Sequence, residues 1–455
     1  MIDQDHRLSS FRRTLSRRAF TLGAAGVMGA GLSRTASAST GSPSIGNSRL
    51  GGVGQDTTEI EFWHGFAAHE IAALQGMLDT RFAAAHPEIK VKAVGGATAE
   101  KILAAISGGN PPDLVLLPAA SVIGTWAKNG VIQPLDDRIK SAGVDLSLYV
   151  PAGIEQCKLD DAYYALPFVN FNSALYWNKD LFTAAGLDPE MPPKTLDDML
   201  AFAEKLTKTD GDRISQIGVL PTLGLEEMAW RFGGDWYDSQ GGAVTANAAA
   251  NLKALQFQLD VANKEGGVDA VKRFQGSLPT GGGAADNPFY QGKIAILMDG
   301  CWQVEFIAQY APQLNYGVAP MPAPADVPNG GTVNTLGTNP IAIPSGAKHD
   351  SEAWELLQFL STDVETSREF AKVVANIPQL QAATKDFTND ARLKVFVDLS
   401  SSKGARHFPV LPISGEYIDA ITTLESAVLT GETDPQAGLD QLQSDMQKAL
   451  AKARG

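Results

Sequence analysis

Residues 60–117 read IEFWHGFAAHEIAALQGMLDTRFAAAHPEIKVKAVGGATAEKILAAISGGNPPDLVLL. Ile60 to Trp63 is a short apolar run of strand type. In His69–Ala85, residues Ile71, Leu74, Leu78 and Phe82 recur at near-helical spacing, and Pro87 stops the helix. Ile89 to Val94 alternates with period two and predicts a strand, and Glu100 to Ser107 predicts a second helix. Gly108-Gly109-Asn110-Pro111-Pro112 breaks the chain before Asp113-Leu114-Val115-Leu116-Leu117, a continuous apolar strand of the kind buried on both faces. Strand, helix, strand, helix, strand in this order is a βαβαβ unit, so the fold class is α/β with a parallel sheet at its start.

Outward from this unit the same grammar continues. Two extended, aromatic-rich segments flank Pro167 between Ala162 and Asn178 and read as a crossing between lobes. Helices are predicted at Thr195–Thr207 and Ala246–Glu265, and a strand at Ile294–Met298. Leu314-Asn315-Tyr316-Gly317-Val318 is a second candidate crossing, followed by a Pro-rich connector from Pro320 to Pro328. Trp354, Leu357 and Leu360 mark a core helix. Asp434 before Pro435 opens a last helix with Leu439, Leu442, Met446 and Leu450 on one face. A chain of 455 residues, 44% hydrophobic, predicts two lobes.

The N-terminal side differs. Arginines at 7, 12, 13, 17, 18 and 34, a Gly/Ala-rich apolar run from Ala19 to Leu32 and Ala36-Ser37-Ala38 form the three-part layout of an export signal. Ser16-Arg17-Arg18-Ala19-Phe20-Thr21-Leu22 matches the twin-arginine pattern, with Leu22 where Lys often stands. Export by that route is expected, with residues 1–38 as signal and the Gly/Ser-rich residues 39–56 as a flexible leader. The apolar run is too short for a comfortable membrane span, and no cysteine follows it to carry a lipid anchor. The chain's net charge is -14, and a signal with six Arg and two Asp carries +4, so the remainder is close to -18. Such an acidic chain has no electrostatic grip on nucleic acid. Cys157 and Cys301 leave open one disulfide or two buried free thiols, and rule out a four-thiolate zinc site.

Catalytic signatures are missing. His64 and His69 are five apart and do not share a helical face, and no G-x-S-x-G, Walker A or G-x-G-x-x-G sequence occurs. The acid pairs Asp136-Asp137, Asp160-Asp161, Asp197-Asp198 and Glu226-Glu227 read as solvated turns and helix starts, because a glycosidase pair is defined by its separation in space. No enzyme activity, cofactor or metal is expected. Aromatic and polar residues instead collect at strand ends: Trp63-His64-Gly65, Pro118 to Ser121, Asp299-Gly300-Cys301-Trp302, and the crowded Trp230-Arg231-Phe232-Gly233-Gly234-Asp235-Trp236. Rings that stack on the C–H faces of sugars, beside groups that pair hydroxyls, suit a carbohydrate. Trp126, Trp177 and Trp354 read as core, whereas Trp302 sits in a turn context that favours a cleft.

Tyr164-Ala165-Leu166-Pro167-Phe168, Leu175 to Phe182 with Ala185 to Pro189, and Pro192-Pro193-Lys194-Thr195 resemble the central signature of family 1 extracellular solute-binding proteins of ABC importers, in their carbohydrate branch. The resemblance continues through Gly292 to Trp302, Asn315 to Val318, Ile377-Pro378-Gln379 and Leu429-Thr430-Gly431, and covers the chain from about residue 57 onward. It implies a type II periplasmic-binding-protein fold whose lobes, 57–167 plus 319–376 and 168–318 plus 377–455, are joined by crossings near Pro167–Ser173, Tyr316–Ala319 and Asn376–Gln379. It also implies a monomer in the periplasm or at the outer face of the envelope, delivering ligand to a permease with its ATPase. The ligand site is expected to draw on Trp63, His64, Asn172, Trp230, Trp302, Gly337, Asn339, Asn376 and Tyr417, with Trp302 as stacking platform.

Phe62-Trp63-His64, Leu187 to Glu190 and Pro192 to Thr195 are similar to the glycerol-3-phosphate-binding subgroup. Gly95 to Thr98 replace that subgroup's tyrosine, Pro118-Ala119-Ala120 its acid, and Leu411 to Tyr417 lacks its arginine. A buried dianion without an arginine fork is poorly compensated, so a neutral oligosaccharide or glycoside is expected. Glycerol-3-phosphate or a glycerophosphodiester, with Arg406 or Arg231 as cation, is the alternative ligand. A secreted carbohydrate-active enzyme is the alternative class.

Overall fold

The computed structural model of the protein describes residues 57–66, 68–220, 224–278, 285–327, 333–385 and 387–455. The expected signal, 1–38, and leader, 39–56, lie outside the described residues. The opening unit is β1 (Thr58–Trp63), α1 (Ala68–Met77), β2 (Ile89–Val94), α2 (Ala99–Ser107) and β3 (Leu114–Leu116), with β1 parallel to both neighbours. Thr98 caps α2 by accepting from the Lys101 N–H, which places the helix start one residue before the expected Glu100. Short helices α3 (Ile123–Lys128) and α4 (Pro151–Ile154) lead to β4 (Leu166–Asn178), a 13-residue strand.

Then come α5 (Leu196–Leu206), β5 (Lys208–Asp210), β6 (Arg213–Val219), α6 (Leu225–Arg231), α7 (Ala249–Lys264), β7 (Ile294–Gly300), α8 (Gln303–Tyr310) and β8 (Tyr316–Ala319). The chain finishes with β9 (Asn334–Ala342), α9 (Val364–Val373), β10 (Ile377–Pro378), α10 (Ala391–Ser400), β11 (Ala405–Arg406), α11 (Ser414–Leu429) and α12 (Pro435–Arg454). Pro435 opens α12 behind an Asp434 cap, as its sequence predicts. The strands make one mixed sheet in the order β2-β1-β3-β9-β4-β7-β6-β5, with β8 and β10 also on β4 and β11 on β9.

Burial divides this sheet. One apolar cluster takes residues from Ile60 to Val169 and from Ile341 to Phe387. Two others share Ala174 to Val333 and Phe396 to Leu450, with Ile377 reaching into the third. The strands that connect the two regions are β4 and β9, antiparallel neighbours from Leu336↔Asn172 to Ile341↔Leu166. Pro167 does not interrupt β4, because it lies opposite Pro340 at an irregularity of the ladder, where neither ring is asked for an N–H.

The second crossing therefore differs from expectation. Tyr316–Ala319 pairs with the far half of β4, from Asn178 to Leu175, and Met321 and Val333 stay in the second cluster, so β9 makes the passage. Leu380, Ala383 and Phe387 likewise pack in the first cluster, past the expected boundary at 376. Trp126, Trp177 and Trp354 are core, and both cysteines are buried free thiols. No helix among the described residues is long and apolar enough to cross a membrane.

The two regions also touch away from the connecting strands. The Thr125 hydroxyl on α3 donates to the Pro412 carbonyl at 2.6 Å, and Gly124 lies so close that an added Cβ would stand 1.9 Å from the Leu411 carbonyl oxygen. Trp126 of α3 belongs to the first cluster, whereas Leu411 and Ile413 belong to the second.

Candidate functional site

Because β4 and β9 join the regions, their two faces decide what a ligand between the regions meets. Period two puts Asn170, Asn172 and Ala174 on one face of β4 and Phe171 and Ser173 on the other. The asparagine face is closed: Asn172 Nδ2 donates to the Phe396 carbonyl of α10 at 2.9 Å and to Asn334 Oδ1 at 3.3 Å, and Asn170 is packed against Gly153 of α4. The opposite face is half-buried at Phe171, Ser173, Thr335, Gly337 and Asn339. The Gly337↔Phe171 register places the last two strands' residues side by side there. This is the candidate floor.

Two aromatic rings lie flat on it. A Cβ added to Gly337 would stand 2.2 Å from Phe171 Cζ, so the phenyl ring covers that glycine from across the ladder. A Cβ added to Gly300, the last residue of β7, would stand 2.3 Å from Trp302 Cη2, so the indole covers Gly300 in the same way. Gly300 pairs with Ser173, its carbonyl accepts from the Tyr176 hydroxyl at 2.7 Å, and the Cys301 N–H donates to the Asn172 carbonyl at 3.2 Å. The platform is thus pinned to β4 on both sides. The ring centroids of Phe171 and Trp302 are 5.9 Å apart with 58° between the planes.

Beside the indole, the Asp299 carboxylate accepts from the Gly300 N–H at 2.7 Å, from Gln303 Nε2 at 2.6 Å and from the Trp302 side chain. Burial raises its pKa to about 6 against these bonds. Tyr290 donates to Gln303 Oε1 at 2.5 Å, which extends the network holding Trp302 in orientation. The Thr335 hydroxyl oxygen is buried without a hydrogen-bond partner. Next to Thr335 in the ladder stands Arg406, an exposed residue whose guanidinium donates to the Lys403 and Ala405 carbonyls.

Of the residues expected at the site, the structure brings Trp302, Gly337 and Asn339 to one face. Asn172 points to the closed side. Asn376 sits where β7 and β10 meet along β4, its Oδ1 accepting from the Cys301 thiol at 3.6 Å. Trp230 lies in the second core, and Tyr417, fully buried there, donates to the Trp236 carbonyl at 3.0 Å. Trp63 shares a face of β1 with Glu61 and donates to its carboxylate at 2.9 Å. His64 is fully buried between Phe62 and Phe66, neither ring nitrogen has a partner, and desolvation lowers its pKa to about 4. Phe171, Ser173 and Thr335 were not anticipated. Arg231 is fully buried, paired with Glu227 at 2.7 Å and donating to the Met321 carbonyl, so it does not reach this floor as a free cation.

Comparison with known proteins adds the following. A family model described as bacterial extracellular solute-binding protein matches residues 67–366. An uncharacterized ABC transporter extracellular-binding protein of Pyrococcus horikoshii is 26% identical over 367 residues, 77% of this chain and 78% of its own. The sn-glycerol-3-phosphate-binding periplasmic protein UgpB of Escherichia coli K12 is 28% identical over 353 residues, 73% of this chain and 77% of its own. Among solved structures, CpMnBP1 with mannobiose bound is 29% identical at a TM-score of 0.75, over 85% of this chain and 98% of that one. The maltose/maltodextrin-binding domain MalE of Bdellovibrio bacteriovorus, bound to maltotriose, is 22% identical at a TM-score of 0.68, over 87% and 100%, a likeness of fold alone.

Proposed function

Since the chain belongs to the bacterial extracellular solute-binding protein family and has the type II periplasmic-binding fold of its structural neighbours, we propose that it is the exported binding subunit of an ABC importer and holds a neutral oligosaccharide between its lobes. The observation that carries this reading is the floor itself: two flat rings and short polar side chains on β4 and β9, with no charged residue at their half-buried positions. Ring faces take the C–H faces of sugars, and Ser173, Thr335 and Asn339 supply partners for hydroxyls. The mannobiose complex of CpMnBP1 supports the same ligand class. The likeness to UgpB supports glycerol-3-phosphate, for which Arg406, beside Thr335, is the nearby cation. The protein acts by binding and release, with no catalytic step, as a monomer exported through its twin-arginine signal.

The lobes run from residue 57 to about 169 plus 341–387, and from about 174 to 333 plus 396–455. Closure brings α3 against Leu411 and Pro412, and ligand favours that form because only there does it touch both lobes. Gly124→Val is therefore expected to burden the closed form alone, by about 1–3 kcal/mol of overpacking, and to weaken ligand affinity by the corresponding factor of roughly 5 to 150. Calorimetry together with solution scattering of the liganded protein reads this, and unchanged affinity would separate the contact from closure.

The first test is a thermal-shift screen with mono-, di- and trisaccharides, glycerol-3-phosphate and glycerophosphodiesters, because a ligand bound only by the native state raises Tm. A shift with neutral saccharides supports the proposal, and a shift confined to phosphates replaces the ligand class. Trp302→Ala is expected to cost about 2 kcal/mol of binding, roughly thirtyfold, with folding retained. Equal affinity of variant and parent would remove Trp302 from the site.

A further inference from the structure

We infer that Phe171 is a second stacking platform which, with Trp302, makes the floor select a ligand of at least two linked sugar rings over a single one. The inference rests on the carbohydrate reading above and adds a residue and a length preference to it. Phe171 and Trp302 reach the same half-buried face from different strands, one by the Gly337↔Phe171 register and the other through Gly300↔Ser173. Their centroid spacing of 5.9 Å is comparable with the step from one pyranose ring to the next. One flat ring cannot cover two planes inclined at 58°. Two rings turned about a glycosidic bond can each meet one plane.

Neither platform can sink toward the sheet. Each ring rests on a glycine with no room for a methyl group beneath it, so a shape that leaves one ring uncovered leaves apolar surface wet. Polar partners stand next to the platforms: Ser173 lies two residues from Phe171 on the same strand face, and Thr335 and Asn339 flank Gly337 on β9. The buried, unpartnered Thr335 hydroxyl is a polar group that a ligand hydroxyl would satisfy.

The test is titration calorimetry of the whole protein with mannose, mannobiose, mannotriose, glucose, maltose and maltotriose, for the parent, Phe171→Ala, Phe171→Tyr and Gly337→Ala. The parent is expected to bind a disaccharide more tightly than its monosaccharide. Phe171→Ala should lower disaccharide affinity about tenfold, with the monosaccharide changed less than about twofold. Phe171→Tyr, which keeps the flat face, should retain the preference, and Gly337→Ala, which lifts the ring without deleting it, should lose it. Equal losses for mono- and disaccharide, or none, overturn the inference while leaving carbohydrate binding in place. A parent that binds none of the six sugars overturns both.

Discussion

Glu227→Ala is expected to lower the unfolding free energy by about 3–5 kcal/mol, because it strands a guanidinium in the second core. Arg231 is fully buried at the end of α6, where its Nη2 meets Glu227 Oε1 at 2.7 Å and its Nη1 donates to the Met321 carbonyl at 3.0 Å, while its Nε has no partner. Burial pulls the Arg231 pKa down and the Glu227 carboxylate holds it up. Without the carboxylate, one carbonyl faces a buried charge. Glu227→Gln, which keeps an acceptor, should lose less, and the pair Glu227→Leu with Arg231→Met should recover much of the loss, since apolar replacements of a buried pair are often tolerated. Denaturant unfolding measures all three. A loss under about 1 kcal/mol for Glu227→Ala would mean that water reaches the guanidinium.

The same pair bears on the ligand. A cation already committed to Glu227 and a main-chain carbonyl cannot also form the fork that a phosphate dianion needs. Of the two arginines that sequence reading left as phosphate partners, only Arg406 stands by the floor, exposed and with its Nη1 donating to the Lys403 and Ala405 carbonyls. A neutral ligand is consistent with both.

How far the sequence carried this reading depends on the range of the signal. Local signals were legible: the period of Ile89–Val94, the Asp434 cap before Pro435 and the glycine-proline stop before Asp113 each correspond to an observed boundary within a residue or so. Tyr417 was also legible as core, because Tyr417, Ile421, Leu424 and Val428 repeat at helical spacing, and its place at the expected site came from the family resemblance instead. Trp230 belongs to a helix whose seven residues are all buried, a context that composition alone does not expose.

The floor was harder for a physical reason. In Asn170-Phe171-Asn172-Ser173, alternation separates the two faces of β4 but does not say which one is open. Asn172 reads as a ligand contact, and Asn170 shares its face. They are instead the packed side, because α10 brings the Phe396 carbonyl to Asn172 and α4 brings Gly153 to Asn170, partners 224 and 17 positions away. Phe171 owes its position to Gly337, which lies far along the chain, and only the strand register reveals that pairing.

Glu265 supplies the other large expected effect, a stability that falls as pH rises. Its side chain is buried behind α7, where Oε1 accepts from the Val219 N–H at 2.5 Å and from the Thr207 hydroxyl at 3.3 Å, and Oε2 has no partner. Desolvation outweighs those bonds and raises the pKa from 4.5 to about 8. The unfolded chain loses this proton near pH 4.5 and the folded chain near pH 8, so between them folding takes up a proton and stability declines with pH, on the order of 5 kcal/mol across the window. His64 runs the other way: its pKa is lowered to about 4, so its contribution is lost as pH falls from 6.5 toward 4. Asp299, raised from 3.8 to about 6, adds a decline that ends near pH 6. The interval from pH 6.5 to 8 is where Glu265 acts free of both. Glu265→Gln, a neutral mimic of the protonated acid, is expected to raise stability at pH 8 and to flatten the slope in that interval. Denaturant unfolding at matched ionic strength reads the slope, and a variant with the parent's slope there would show that the Glu265 carboxyl ionises in the folded protein as it does in the unfolded chain.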